Sequence, residues 1–541
     1  MSFNLTEEQK QIIEYKENQV IEAGAGCGKS STLIQKALVF PNLKKVYFSF
    51  TSASVKDMKK RAYDSGVKNI EIITFHGLAH TKFIKSGQYK LGYNPNVYGI
   101  SKEFGLKQDN LSNKIVHHAI KWFELFCNSD LETIEDLKYL ETIESEKAKK
   151  FVEHQLENIK KMTLDIWDRM DKKKLDCSHS FYLKKYQLTH PTLNYDLILV
   201  DESQDLNPVQ LDIIKGLNGV KVIVGDSNQQ IYSWRGAVNA LKSFPDYKVF
   251  TLTESFRFTQ EIADLGLKAL SFKEVYDSEF DFSKVKLIGS AKFTPQTKIK
   301  TKAILSRSNI SILEYLFNYL DRYESIYIEG GIESLINTQS GIKITDLIYL
   351  QSGETDKIEN FFVKKFPSIE KLQEYYEDLD DMSIDGMLKF VNRYKKQILF
   401  QLVKINEKLT EKQFASITFS TLHKSKGTEF DEVEILGNFE QDWFPHSSPN
   451  TKEVDHPEGG KMSVELEEYE IKKLRIQMCE ELHLRYVGVT RAKYKLLHNW
   501  EWLNDSTEEE VNEMEHIKQE IQNDIEYTNL VKKTFFGNKK V

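Results

Sequence analysis

Cysteine and long apolar runs are scarce in this chain, and each shortage excludes a class of protein. The four cysteines (Cys27, Cys127, Cys177 and Cys479) lie far apart, with no C-x-x-C pair among them. Sequential ligands for a zinc ribbon or an iron–sulfur cluster are therefore missing, and the chain reads as one that works in a reducing compartment. No apolar run reaches the length a membrane helix needs. Residues Met1 to Glu8 are polar, so no secretory leader is expected. A surplus of positive charge is missing too: 74 Lys and Arg against 81 Asp and Glu leave a net charge of −7. That excludes a basic coat that binds any polyanion, and a nucleic-acid partner would have to be gripped in a local cleft. The 541 residues are enough for several domains.

What is present begins at Val20–Ser31, V-I-E-A-G-A-G-C-G-K-S-S. An apolar strand runs into a turn holding Gly24, Gly26 and Gly28, and a helical pattern starts at Thr32. This strand–loop–helix setting suits a phosphate-binding loop spanning Ala23, Gly24, Ala25, Gly26, Cys27, Gly28, Lys29, Ser30 and Ser31. Its backbone N–H groups converge on one anion, and the helix N-terminus adds partial positive charge. Lys29 can reach the β- and γ-phosphates of a nucleotide, and the Ser30 hydroxyl can hold Mg²⁺. Ala23 stands where the usual pattern has glycine. Ahead of the loop, Gln9 in L-T-E-E-Q carries an amide that can read both edges of adenine; a plain surface glutamine fits equally well.

Two β-rich runs, Val46–Phe50 and Ile70–Phe75, flank a helical pattern from Ser54 to Tyr63, giving β-α-β-α-β and hence a parallel sheet wrapped by helices. Thr51, Thr74, Phe75 and His76 fall at strand ends, where hydroxyls suit phosphate oxygens and a ring suits a base. The sheet pattern lapses from Thr81 to Cys177, a helical insertion whose Trp122, Phe123, Phe126 and Trp167 recur at core spacing. It resumes at Leu197–Val200, followed at once by Asp201 and Glu202. After a phosphate loop, two such carboxylates can hold Mg²⁺ (Asp201) and deprotonate the attacking water (Glu202). A further buried strand, Val222–Asp226, leads into S-N-Q-Q-I-Y-S-W-R-G-A. There glutamines able to sense a γ-phosphate lie close to Tyr232, Trp234 and Arg235, which suit single-stranded bases and backbone.

These blocks resemble the superfamily 1 DNA helicases of the UvrD/Rep/PcrA type. Further blocks in the family's order are T-F-H (Thr74–His76), S-F-R (Ser255–Arg257), L-S-R-S-N (Leu305–Asn309), T-L-H-K-S-K-G-T-E-F (Thr421–Phe430) and Y-V-G-V-T-R-A (Tyr486–Ala492). In detail, Phe181–Leu188, Ser255–Phe258 and Gln229–Leu241 look most like the F-box DNA helicase branch, although no room for an F-box is expected ahead of the phosphate loop. The resemblance implies two RecA-like α/β motor domains of the P-loop NTPase class, each with a helical insertion. These are residues 1–80 with 178–255, insertion 81–177, residues 256–315 with 412–505, and a short insertion 316–411. A charged helical tail, 506–541, completes the chain.

It further implies that Gln9 recognises adenine, Gln229 senses the γ-phosphate, and Ser30 with Asp201 holds Mg²⁺. Arg257 and Arg491 become arginine fingers from the second motor domain. Glu429 helps at the ribose or couples the domains, and Thr421–His423 joins Thr51, Thr74, Phe75, His76, Tyr232, Trp234 and Arg235 on the single-strand track. Ser31 and Phe256 depart from the arginine and tyrosine that sandwich adenine in the family, which loosens the expected preference for ATP. The implied activity is ATP- and Mg²⁺-dependent 3′–5′ movement on single-stranded DNA and single-strand/duplex junctions, in repair or recombination control. Alternatives are a translocase that strips proteins, an ATP-gated module of a multiprotein (for instance defence) complex, and an RNA track. A protein partner would dock through 316–411 or the tail, no membrane is involved, and the implied location is the cytoplasm, on the nucleoid, or the nucleus in a eukaryote. Ser383–Phe400 carries a helical pattern, Asp431–Leu436 and Lys493–His498 look like strands of a second sheet, and the acidic run Glu377–Asp381 reads as a solvated loop.

Overall fold

A computed structural model describes residues 5–107, 109–143, 145–233, 236–338, 341–379, 384–437, 451–455, 461–465 and 468–498. Trp234, Arg235, Asp380, Asp381 and the tail 506–541 lie outside the described residues. The chain forms two compact units. The first comprises the residues up to Ala23, Gly28–Leu252 and Leu313–Glu411; the second comprises Gly24–Cys27, Thr253–Ile312 and the described residues from Lys412 onward. The fold is α/β, with parallel sheets in each unit, as the strand–helix alternation predicts. Among the described residues no helix is long and apolar enough to cross a membrane.

The sheet of the first unit contains β1 (Gln19–Ala23), β2 (Lys45–Phe48), β3 (Ile70–Ile73), β4 (Asn194–Val200), β5 (Asn218–Gly225) and β6 (Lys248–Leu252), in the order β3-β2-β4-β5-β1-β6. Every pairing is parallel. Strands covered on both faces need continuous apolar runs, which is why V-I, L-I-L-V and V-I-V dominate the central three. Register aligns the strand ends: Glu22 is level with Gly225 and Phe48 with Val200. The residues just beyond β1, β4 and β5 therefore share the C-terminal edge of the sheet, where ligands of open α/β sheets gather.

The helical insertion packs Asn110–Asn128 against Glu146–Asp171. Trp122, Phe123 and Phe126 are buried there, with Trp122 stacked on Tyr139 at 4.9 Å. Two expectations are corrected in residues 313–411. The helical pattern at 383–400 is two helices, Asp385–Tyr394 and Gln397–Lys408, broken at Lys395 with φ +50°. The break lets Phe390 and Val391 in one helix and Ile398 and Ile405 in the other all reach apolar surroundings. Nor is Asp378 simply solvated: it forms ion pairs with Lys114 and Lys147 of the helical insertion.

The second unit carries a parallel sheet in which β7 (Lys302–Ser306) lies between β8 (Ile417–Thr421) and β9 (Phe430–Ile435), with β10 (Ala492–Leu497) beside β9. β9 and β10 fall within one residue of the strands expected at 431–436 and 493–498.

The first helix, α1 (Glu7–Glu14), is anchored by the helix that succeeds the phosphate loop, α2 (Lys29–Val39). Lys36 of α2 is buried, and its Nζ donates to the carbonyls of Ile12 at 2.8 Å, Ile13 at 3.4 Å and Tyr15 at 2.5 Å. An ammonium here satisfies the orphan carbonyls of α1 and complements its dipole. Burial lowers its pKa from 10.5 to about 8. Between those values the unfolded chain holds a proton that the folded chain has released, so this lysine makes unfolding free energy rise with pH across the window. Denaturant titrations through the window should show a shallower rise in Lys36→Met, by at most about 1.4 kcal/mol per pH unit.

Candidate active site

The phosphate loop leaves β1 and enters α2 through Gly28, whose φ of +76° is a left-handed conformation that side chains rarely tolerate. Ala23 and Gly28 belong to the first unit; Gly24, Ala25, Gly26 and Cys27 cluster with the second, where the Ala25 N–H donates to Tyr486 Oη at 3.1 Å. Lys29 and Ser30 open α2, and Ser31, half-buried, comes next on its first turn.

Asp201 is the hub of the first unit's site. Ser30 Oγ donates to its Oδ2 at 2.7 Å, Tyr47 Oη donates to the same oxygen at 2.5 Å, and the Glu202 N–H donates to Oδ1 at 2.9 Å. Burial, reinforced by the neighbouring Glu202 charge, pushes the Asp201 carboxyl above its ordinary value, while Tyr47, Ser30 and Lys29 pull it back. Burial likewise pushes the Tyr47 phenol up, so it keeps its proton and donates.

Glu202 has a left-handed backbone, φ 53° and ψ 42°. For a non-glycine residue that costs of order 1–3 kcal/mol and persists only where surroundings hold it. Its Oε2 accepts from Gln204 Nε2 at 2.6 Å. At the end of β5, Asp226 is 1% exposed and accepts from Gln229 Nε2 at 2.5 Å. Burial raises its pKa, and the charge of Lys29 opposes that rise. Lys29 thus acts electrostatically on two buried carboxylates at one sheet edge.

Gln9 is 5% exposed and completes a capping box with Thr6, its Oε1 accepting from the Thr6 N–H at 3.1 Å. This fixes the amide, with Oε1 committed to the helix start.

A nucleoside triphosphate with Mg²⁺ fits these groups. The donor set is all oxygen, a hydroxyl beside a buried carboxylate, and Ser30 points its O–H at Asp201, which leaves its oxygen lone pairs for a cation. Among the described residues no cluster of three His, Cys, Asp or Glu side chains could hold a metal unaided. A hard ion completed by water and phosphate oxygens, as Mg²⁺ is, suits such a site.

The expected strand-contacting residues divide. Thr51 and Thr74 are helix N-caps, accepting from the Ser54 and Gly77 N–H groups at 3.1 and 2.9 Å. Phe75 is 2% exposed and stacked on Phe48 at 4.3 Å, so its ring faces the core in this structure. The period of the strand hid this, because the helix Phe75–Phe83 begins at that residue and turns it inward. Burial, helped by His179, lowers the His76 pKa to about 4, so at neutral pH it is an uncharged donor and acceptor. Tyr232 stacks on Phe50 at 5.9 Å. Trp234 and Arg235 lie outside the described residues.

In the second unit, Arg257 Nε pairs with Glu429 at 3.1 Å and its Nη1 donates to the Thr490 carbonyl at 3.3 Å. Glu429 also pairs with Lys493 at 2.8 Å; burial works against its charge, but Lys493 and Arg257 hold its carboxyl below the ordinary value. Arg491 is 1% exposed, donating to the carbonyls of Val487 and Thr428 at 2.9 and 3.1 Å. Phe256 is about half exposed. Thr421 is buried and caps the short helix Leu422–Ser425, which contains His423.

Tyr47, Gln204 and Asp226 are site residues that sequence patterns did not mark. A signal existed for Gln204, which follows Asp201 and Glu202 in the run V-D-E-S-Q-D, and for Asp226, a carboxylate ending an apolar strand as Asp201 does. Removing the phenol hydroxyl leaves Asp201 short of a buried donor, so Tyr47→Phe should lower unfolding free energy by about 1.5–3 kcal/mol in equilibrium denaturation.

Residues 5–244 match the family model for the UvrD/REP helicase N-terminal domain. The chain is similar to F-box DNA helicase 1 of Gallus gallus, 30% identical over 91% of this chain and 49% of that protein. It is also similar to F-box DNA helicase protein 1 of Schizosaccharomyces pombe, at 24% over 92% of this chain and 57% of the relative. A third relative is ATP-dependent DNA helicase PcrA of Bacillus subtilis, at 23% over 88% and 80%. The chain thus spans about half the length of the Gallus relative.

Proposed function

Since the chain belongs to the UvrD-like superfamily 1A helicases, we propose that it is an ATP-dependent DNA helicase and translocase that moves 3′ to 5′ on single-stranded DNA. The observation that supports this most is the junction of Ser30, Asp201 and Glu202 at one strand edge, beside the lysine of a phosphate loop. Lys29 and the α2 N-terminus bind the phosphates, and Ser30 with Asp201 holds Mg²⁺. Held there, Mg²⁺ would supply charge neutralisation to the bound phosphates. Glu202 orients a water and takes its proton, and Gln9 reads the base. Arg257 and Arg491 supply positive charge to the γ-phosphoryl group, with Glu429 aligning Arg257.

In this reading residues 1–80 with 178–255 and 256–315 with 412–505 are the two motor domains, and 81–177 and 316–411 are their insertions. Thr51, Thr74, His76, Tyr232, Trp234, Arg235, Thr421 and His423 make the strand track, working at single-strand/duplex junctions. Repair or recombination control, on the nucleoid or in a nucleus, is the setting that fits such a motor. The short 316–411 insertion favours a second reading, in which the motor chiefly strips bound protein and separates duplex poorly.

ATP-driven strand displacement on matched duplexes with a 3′ or a 5′ tail tests this. Only the 3′-tailed duplex should open, and Lys29→Ala should abolish both unwinding and turnover. Opening from the 5′ tail overturns the polarity. DNA-stimulated ATPase without unwinding selects the stripping motor. Glu202→Gln should bind ATP and DNA with turnover reduced by roughly 10²-fold or more.

A further inference from the structure

Gln204 is fully buried, at 0% exposure, between two segments that the proposed reaction uses separately. Its Nε2 donates to Glu202 Oε2 at 2.6 Å, and its Oε1 accepts from the Asp226 N–H at 3.0 Å. We propose that Gln204 is a positioning residue that fixes the Glu202 carboxylate and ties it to the segment running from Asp226 to Tyr232. The proposal rests on the hydrolytic role of Glu202.

Three observations carry it. A primary amide carries a donor and an acceptor side by side on one planar group, as this span requires, whereas a carboxylate only accepts. A glutamate at 204 would set a second carboxylate against Glu202, and a hydroxyl side chain would be too short for the span. The neighbouring backbone is also shaped around the amide: a Cβ on Gly225 would lie 2.5 Å from Gln204 Oε1 and 3.1 Å from its backbone nitrogen. Glycine at 225 is therefore what lets β5 approach so closely. Finally, the left-handed Glu202 backbone needs an external hold, and the Gln204 amide supplies one on its side chain.

The far end of the link is firmly attached. Asp226 accepts from the Asn228 N–H at 3.0 Å and from Gln229 Nε2 at 2.5 Å. The Ser227 N–H and Oγ both donate to Glu22 at 2.7 Å, and Asn239 Nδ2 donates to Ser227 Oγ at 2.8 Å. Three residues beyond Gln229, Tyr232 stacks on Phe50. A strand that displaces Tyr232 pulls on a short, hydrogen-bonded segment whose first N–H holds the Gln204 amide. Rotation of that amide changes the direction in which Glu202 presents its carboxylate to a water. Glu202 is thereby made responsive to what occupies the segment.

The test uses the full chain and oligo-dT as the single strand. ATP turnover is measured with and without the strand, alongside equilibrium binding of a non-hydrolysable ATP analogue and of the strand itself. In Gln204→Met the ratio of stimulated to unstimulated turnover should fall roughly tenfold or more, with both binding constants changing by less than about threefold. Gly225→Ala, which keeps the amide but pushes its oxygen aside, should do the same. A wild-type ratio in either folded variant overturns the proposal, as does loss of folding in both, which would make Gln204 a core residue only. A wild-type protein that shows no strand-stimulated turnover overturns this proposal and the motor reading together. Stimulated turnover without unwinding overturns the helicase reading alone.

Discussion

Asp201 accepts three hydrogen bonds at the end of a buried strand, and the arrangement of the first unit depends on them. One donor comes from the phosphate loop, one from a neighbouring strand and one from its own successor in the chain. A buried carboxylate is costly unless its lone pairs are satisfied, so the three elements must keep a common register for the chain to fold. The parallel pairing of β1, β5, β4 and β2 meets that demand. Stability and the proposed chemistry draw on the same contacts: the hydroxyl that satisfies Asp201 also offers its oxygen to a cation.

Around this hub the polar groups form a chain rather than a scatter. Glu202, Gln204, Asp226 and Gln229 are joined in sequence by side-chain and backbone hydrogen bonds, the last three buried and Glu202 half-buried. In a low-dielectric setting such a series holds its members in defined orientations, and losing one leaves its neighbours unsatisfied. The second unit solves a similar problem differently. Arg491 is buried with its guanidinium on backbone carbonyls, while Arg257 stays partly exposed and is aimed by Glu429. The two arginines expected to play one role therefore start from unlike surroundings.

Burial also separates residues that looked equivalent. Phe75 and Tyr232 both presented aromatic rings near strand ends, yet Phe75 packs on Phe48 inside the core and Tyr232 stacks on Phe50 outside it. The acidic run after Tyr376 shows the opposite surprise. One of its members, Asp378, holds two lysines of the helical insertion, so a segment that read as solvent-facing contributes to the packing of the first unit.

The sequence by itself determined the features whose physics is local. A glycine-rich turn between an apolar strand and a helix announces a phosphate site, and paired carboxylates after L-I-L-V announce a strand end, because all the residues involved lie within a few positions of one another. Continuous apolar strands alternating with helices likewise determined the parallel α/β class. Only the tertiary structure decided the rest. Tyr47 meets Asp201 across 154 residues, and Gln204 meets Asp226 across 22. No spacing rule encodes such contacts, since they arise from the lateral order and register of strands. The same holds for Phe75, whose side is chosen by the helix it begins and not by the strand that precedes it. Chain periodicity tells which face a residue occupies; only packing tells what that face meets.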